Sequence, residues 1–378
     1  MSANSRLKVK TGRSVLTNEK EAVRELADAI SQPQMKAAIV FCSSKYDLDE
    51  LASELKKRFS CPLIGCTTAG EISSKGYQDG GIAGASLSSP ELMVHSYTIS
   101  PLSQFGLSQA RELANAIRQE LSLSHKFDKE TMFGLLLIDG LSMLEEHVIS
   151  ALYNQFEGIS IVGGSAGDDL RFKTTGVYSD GRFVPDAAVF TLFETTLPFL
   201  VFKTQHFQPT DTKMVITEAE PHRRLIAEIN AEPAAEEYAR MLGLEVGQLN
   251  PTVFSEHPLM LKVADEWYVR AIRGVNKDKS LTLYCAIEAG LVMTLAKGVD
   301  PVTNLKEKLK ELFLKIPNPQ LLIGCDCILR KLEIVEKGIQ GEVAQLLKDL
   351  DFIGFSTYGE QFDSIHVNQT LICLAIGR

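Results

Sequence analysis

The phrase Ile64-Gly-Cys-Thr-Thr-Ala-Gly-Glu71 returns near the far end of the chain as Ile353-Gly-Phe-Ser-Thr-Tyr-Gly-Glu360, aligned without a gap. It stands once between them, one residue shorter, as Val162-Gly-Gly-Ser-Ala-Gly-Asp168. Self-similarity at this scale constrains a fold more than local propensity does, because each copy must be one supersecondary unit repeated in space. What precedes each phrase agrees. Ala37-Ala-Ile-Val-Phe41 reads as a buried strand. Leu48, Leu51, Leu55 and Phe59 then recur at helical spacing behind a capping box at Asp47 and Glu50, and the chain returns as a strand into Gly65. The second copy runs from Phe133-Gly-Leu-Leu-Leu-Ile-Asp139 through Leu144, Val148, Leu152 and Phe156 to Ile159-Ser-Ile-Val162. The third runs from Gln320-Leu-Leu-Ile-Gly-Cys325 through Val343, Leu347 and Leu350 to Phe352. Each reads as strand, helix, strand with a Gly-rich exit.

Antiparallel β patterns follow the first two copies: 81–87 with 92–99, then a hairpin at Asp180-Gly181, 187–193 and 200–202. A helix with Leu107, Ala110, Leu113, Ile117 and Leu121 on one face links the two halves of this region. The polar stretch 208–221 reads as a boundary. Beyond it come a strand at 225–229, a helix at 233–243 with Pro in its first turn and Gly at its end, and strands at 259–263, 267–272 and 280–285. A strand at 369–377 closes the chain. The fold expected is mixed α/β, with α+β character: repeated strand-helix-strand units with antiparallel β extensions, in two domains. These are residues 1–220, holding two related lobes, and residues 221–378.

With 45% hydrophobic and 23% charged residues in 378, the chain has the composition of an ordinary globular protein. A net charge of -9 argues against a non-specific nucleic-acid surface, which needs clustered cations, and Arg223-Arg224 and Lys56-Lys57 read as solvated helix faces. No apolar run of about 18 residues is present to span a bilayer. The stretch Met1-Ser-Ala-Asn-Ser-Arg lacks the apolar core of a leader, so a cytoplasmic protein without membrane insertion is expected. Seven cysteines, an odd number, fit reduced thiols in that setting.

Gly163-Gly-Ser-Ala-Gly167 matches the nucleophile elbow G-x-S-x-G, which would make Ser165 a nucleophile. The sister copies place Cys66-Thr-Thr-Ala and Phe355-Ser-Thr-Tyr at that point, so a phrase that changes its nucleophile while keeping its glycines and acid describes a turn. Glu71, Asp168 and Glu360 are then expected to accept hydrogen bonds from their own loops. Cys66 has no histidine near it in sequence, and Cys325-Asp-Cys327 has no second pair at zinc spacing and reads as core. Among the histidines, His257 stands next to Pro258 at the entrance to a β segment and His366 at the start of the closing strand; His147 and His222 read as solvated.

The three Gly-rich phrases, with His366-Val-Asn-Gln-Thr370 after the last, resemble the FIST family, with its N-terminal and C-terminal segments, from about residue 35 to the end. Glu256-His-Pro-Leu259, Trp267-Tyr-Val-Arg-Ala-Ile272, Tyr284-Cys-Ala-Ile-Glu-Ala-Gly-Leu291 and Ile365-His-Val-Asn-Gln-Thr370 are similar to its haem-binding, nitric-oxide-sensing branch. That resemblance implies a non-enzymatic bacterial sensor that binds haem b and regulates a partner histidine kinase. It implies His257 as the iron ligand, with His366 second, and Met260, Trp267, Tyr268, Arg270 and Tyr284 as pocket candidates. Gas binding is then expected to release the loop around the ligating histidine and change the affinity for the kinase. Two alternatives stay open: a haem-independent FIST sensor of a small organic ligand such as an amino acid, held by Arg270, Glu360 and backbone amides, and a hydrolase using Ser165 or Cys66. The apolar β segments are compatible with a homo-oligomer.

Overall fold

The repeated phrase turns out to mark the middle of a longer repeated unit. The computed structural model describes residues 7–122, 127–156 and 158–378; the stretch 1–6, read above for a leader, lies outside them. The first copy contains β1 (Lys8–Ser14), α1 (Glu19–Ile30), β2 (Ala37–Ser43), α2 (Leu48–Arg58), β3 (Leu63–Thr68), β4 (Glu71–Ser73), β5 (Gly76–Gln78) and β6 (Ile82–Ser88). The second has the same order: β7 (Leu92–Ile99), α3 (Leu107–Glu120), β8 (Met132–Ile138), α4 (Glu145–Gln155), β9 (Ser160–Ser165), β10 (Val177–Ser179), β11 (Arg182–Val184) and β12 (Ala188–Thr195). The third opens with β13 (Phe199–Thr204) and is then interrupted.

The interruption holds β14 (Phe207–Glu220), β15 (Leu225–Ile229), β16 (Glu232–Pro233), α5 (Ala234–Leu242), α6 (Pro251–Glu256), β17 (Leu259–Val263), β18 (Glu266–Arg270), β19 (Ile272–Val275), β20 (Leu281–Leu283) and β21 (Val292–Gly298). The third copy then resumes with α7 (Pro301–Lys315), β22 (Leu321–Cys327), α8 (Ile328–Glu336), α9 (Gln340–Leu347), β23 (Phe352–Thr357), β24 (Glu360–Phe362), β25 (Ile365–Val367) and β26 (Leu371–Ile376).

Each copy builds the same sheet. A parallel pair, β2 with β3, β8 with β9 or β22 with β23, is flanked by the returning strand and then by the opening strand, giving the orders β1-β6-β2-β3, β7-β12-β8-β9 and β13-β26-β22-β23. Each sheet reaches six strands only by receiving a hairpin from another copy: β10-β11 joins β3, β24-β25 joins β9, and β4-β5 joins β23. The exchange is cyclic, so no copy completes its sheet alone. Helices with one apolar stripe cover these sheets, as α1 does by burying Ala22, Val23, Leu26, Ala27 and Ile30.

The expected mixed α/β class is therefore observed. By compactness the chain divides differently from a cut at 220. A first unit takes the chain up to Thr204 with Lys306–His366 and Leu371–Arg378, and a second takes Gln205–Leu305 with Val367–Thr370. The reason is the hairpin exchange, which ties the third copy to the first two. The second unit is an eight-stranded antiparallel sheet around Met214, Ile226, Tyr238, Phe254, Leu259 and Met293.

Several local readings change. The polar stretch 208–221 is mostly strand β14, which buries Met214 and Ile216 and shifts register between Pro209 and Lys213. Segments 81–87 and 92–99 do not pair with each other: β6 lies between β1 and β2, whereas β7 pairs with β12. Helix α3 is the first helix of the second copy, and Leu107, at its start, is 56% exposed. Asp47 does cap α2, accepting from the main-chain N–H of Asp49 and Glu50, but its own N–H goes to Glu19 rather than back to Glu50. Among the described residues no helix is long and apolar enough to cross a membrane.

Candidate functional site

The Gly-rich phrases come together in the first unit, each at the end of the second strand of a parallel pair. Their first glycine is required by close backbone approach. A Cβ would stand 2.3 Å from the Val40 carbonyl oxygen at Gly65, 1.7 Å from that of Leu136 at Gly163 and 2.4 Å from that of Gly324 at Gly354. The turns then interlock: Ser356 N–H donates to Gly70 O at 2.7 Å, Ser165 N–H to Gly359 O at 2.8 Å, and Thr67 N–H to Gly176 O at 2.9 Å. This ring corrects the alignment of the middle phrase. Gly70-Glu71 and Gly359-Glu360 correspond in space to Gly176-Val177, not to Gly167-Asp168, because residues 167–175 form an inserted loop.

The three acids are buried and locally bonded, as expected, but in two ways. Glu71 accepts from the Thr68 hydroxyl at 2.6 Å and from Gly81 N–H at 3.0 Å; burial pushes its carboxyl up to about 7 against those bonds. Glu360 accepts from the Thr357 hydroxyl in the same way. Asp168 instead gathers the loop, accepting from N–H of Phe172 at 2.8 Å, Lys173 at 2.7 Å and Thr174 at 2.9 Å, and from the Tyr358 hydroxyl. Burial pushes its carboxyl up, but the Tyr358 and backbone hydrogen bonds outweigh this and hold it below the usual range.

Nothing around Ser165 resembles an elbow. Its strand runs into a loop and then β10 rather than a helix, its side chain is fully buried, and its Oγ accepts from the Gln361 amide at 2.9 Å, a group that cannot take a proton. The Cys66 thiol is also fully buried, and burial pushes it well above its ordinary value. Cys325 and Cys327 flank Asp326, which pairs with the buried Arg330 at 2.8 Å and accepts from the Tyr77 hydroxyl. Sequence reasoning missed this charge pair, although Arg330 follows Asp326 at i+4, because Asp326 lies at the end of a strand and Arg330 in the first turn of a helix. Among the described residues no group of three or more His, Cys, Asp or Glu side chains is placed to hold a metal.

The haem candidates fall in both units: His366 in the first, and His257, Met260, Trp267, Tyr268, Arg270 and Tyr284 in the second. His366 is fully buried with Nδ1 3.2 Å from the Gln361 amide nitrogen. His257 caps α6 and is half-buried; its N–H donates to Val253 O at 3.0 Å and its carbonyl accepts from the Tyr238 hydroxyl at 2.6 Å. On the following hairpin Leu259 pairs with Arg270, Leu261 with Tyr268 and Met260 with Val269. Directly paired residues share a face. Tyr268 and Arg270 therefore lie on the side of the second unit's core with Leu259 and Leu261, and Met260 lies on the other side, with Trp267 and Lys262. Tyr284 follows alongside, its N–H on Ala271 O at 3.0 Å and its carbonyl accepting from Arg224 at 2.6 Å. An imidazole, a phenol and a guanidinium suit a haem's iron and carboxylates in chemistry; Met260 does not join that set. His147 and His222 are exposed, as expected.

The FIST N domain model matches residues 36–232 and the FIST C domain model residues 234–363. An uncharacterized protein of Methanocaldococcus jannaschii is 25% identical over 229 residues, 58% of this chain and 43% of that protein, so the match spans less than half of its length. Matched over more than half its length by the N-terminal model alone, the chain belongs to the FIST family, whose domains are sensory modules of signal transduction.

Proposed function

We propose that this FIST chain is a sensor that binds haem b through His257, responds to nitric oxide and regulates a partner histidine kinase. The observation that carries the choice of ligand is the anchoring of His257. Its backbone is held on both sides, by Val253 and by the Tyr238 hydroxyl, while its imidazole stays half-buried at the head of β17. The second candidate, His366, is fully buried with Nδ1 against an amide. When bound, haem supplies an iron with an open position for a diatomic gas. The chain's part is to place His257, to offer the Arg270 guanidinium to a carboxylate, and to exclude water with Tyr268. The hydrogen bond from Tyr238 joins His257 to α5, so displacement of His257 is transmitted to that helix.

The placement of Met260 opposite Tyr268 and Arg270 favours a second reading, a smaller organic ligand held on the Arg270 side without haem. Glu360, the other side chain expected to hold such a ligand, is fully buried and accepts from the Thr357 hydroxyl. The deciding experiment is haemin titration of the wild type, His257→Ala and His366→Ala, followed by reduction and nitric oxide, read in the Soret region. The expected result is saturable binding that shifts with nitric oxide, is kept in His366→Ala and is lost in His257→Ala. Absence of saturable binding in the wild type ends the haem reading.

A further inference from the structure

A cavity of 360 Å³ lies where the first copy's sheet meets the second's, within the first unit, and none of the haem candidates lines it. Its apolar side is formed by Phe59, Pro62, Leu63 and Val189. Its polar side carries Ser96, Thr98 and Ser179, and the Thr98 and Ser179 hydroxyls bond each other at 2.6 Å across the two sheets. Lys56, from the last turn of α2, reaches the cavity and donates to the main-chain oxygen of Asp180 at 3.1 Å. That carbonyl belongs to the β10-β11 turn, where Asp180 at φ 50° and Gly181 at φ 87° fix its direction. The Lys56 ammonium has no carboxylate partner among the described residues, since the neighbouring Glu54 pairs with Lys57.

We infer that this cavity is a binding site for a small organic carboxylate with a compact apolar body. The volume is within the range of small-molecule sites, roughly 300 to 1,000 Å³. An apolar floor takes the body of the ligand, the row of hydroxyls takes oxygen lone pairs, and Lys56 supplies the countercharge at an amine whose position is already set by the turn. The Asp180 carboxylate also lines the cavity and opposes an anion, which gives the site a sign test. Replacing Lys56 should weaken the ligand and replacing Asp180 should strengthen it.

Cys61 provides the readout. It lines the cavity and is half-buried, whereas Cys42, Cys66, Cys285, Cys325, Cys327 and Cys373 are buried. Burial pushes the Cys61 thiol up, so alkylation by iodoacetamide is followed at alkaline pH, with Cys61→Ser confirming the labelled residue. The probes are benzoate, its neutral isostere benzamide, and the cation benzylammonium, at matched ionic strength. Saturable protection by benzoate, weaker with benzamide and absent with benzylammonium, is expected. Benzoate affinity should fall about three- to fivefold in Lys56→Gln and rise by a similar factor in Asp180→Asn, the range of a solvent-exposed charge pair. Equal protection by all three probes, no saturable protection, or the opposite response of the two variants overturns the site. None of these outcomes depends on haem binding, so this inference and the haem reading fail separately.

Discussion

The turns of the first and third copies and the turn of the second do one backbone task with different side chains. In the first and third, a glutamate follows the turn glycine into the exchanged hairpin and is buried on a strand with one hydroxyl from its own turn, Glu71 with Thr68 and Glu360 with Thr357. In the second, Val177 takes that strand position, and the acid of the sequence phrase sits in an inserted loop. The lesson is that the interlocking of main-chain groups, not the carboxylate, defines the repeat. The acids are free to differ in what they do, and they do differ. A strand carboxylate with few donors has its charged form destabilised by burial, and one that gathers three N–H groups and a tyrosine hydroxyl has it stabilised.

The largest expected effect tests the shared part. Gly163→Ala puts a methyl group against the Leu136 carbonyl, where no side-chain rotation relieves it. A loss of at least about 4 kcal/mol, or failure to fold, is expected in urea denaturation. Gly247→Ala, with nothing within 4 Å of the added Cβ, should be close to neutral. A well-folded Gly163→Ala protein would mean that the strands of the parallel pair are free to separate, and that the repeat is not defined by this contact.

Next in size is the contrast between the acids. The Glu71 carboxyl is raised from its ordinary 4.5 to about 7, so the folded state holds a proton that the unfolded chain releases. Its contribution to stability is greatest below the ordinary value, falls as pH rises between the two values, and levels off above 7. The span corresponds to about 3 kcal/mol. Glu71→Gln should therefore gain on the wild type by about that amount from pH 4.5 to pH 8, measured as the pH dependence of the difference in unfolding free energy. Asp168 has the opposite sign: its contribution is present above the ordinary carboxylate value and is lost as pH falls through its lowered folded value. Asp168→Asn should cost about 2 kcal/mol at neutral pH, with the deficit shrinking in acid. Parallel pH profiles for the two variants would break the comparison.

The residues that made the repeat legible are those whose role is set by local chemistry. The glycines, the apolar runs of β2, β8 and β22, and the Asp180-Gly181 turn could each be read from spacing alone. What escaped is what depends on a partner distant in sequence. Strand β1 carries Lys8, Lys10 and Arg13 with little apolar alternation and exists because its backbone pairs with β6. Strand β14 looks like a linker because, beyond Phe207 at its start, only Met214 and Ile216 are buried from it. The hairpin exchange is invisible in a sequence, since β4-β5 reads the same whichever sheet receives it. Misplacing Asp168 has the same origin: a gap of one residue is the cheaper alignment on paper, whereas in space an insertion at residues 167–175 lets the Gly176 carbonyl meet Thr67. For the candidate site, placing His257 at a β entrance was within reach of sequence, but the face on which each neighbour lies needed the register of β17 with β18.

The smallest predicted effect separates the hydroxyl from the acid. Thr68 donates to Glu71 and its oxygen also accepts from Gly70 N–H at 3.2 Å, so Thr68→Val removes both bonds at nearly constant volume. If the hydroxyl serves mainly to stabilise the ionised carboxylate, its removal raises the Glu71 value further. The cost, about 1 kcal/mol, should then be larger at pH 8 than at pH 5. In a Glu71→Gln background that pH dependence should vanish, leaving a constant cost, because a glutamine oxygen accepts from the hydroxyl without titrating. A cost that stays the same across pH in both backgrounds would show that Thr68 serves the turn alone. The first copy's acid would then owe its raised value to burial without opposition from its own turn, which would widen its difference from Asp168.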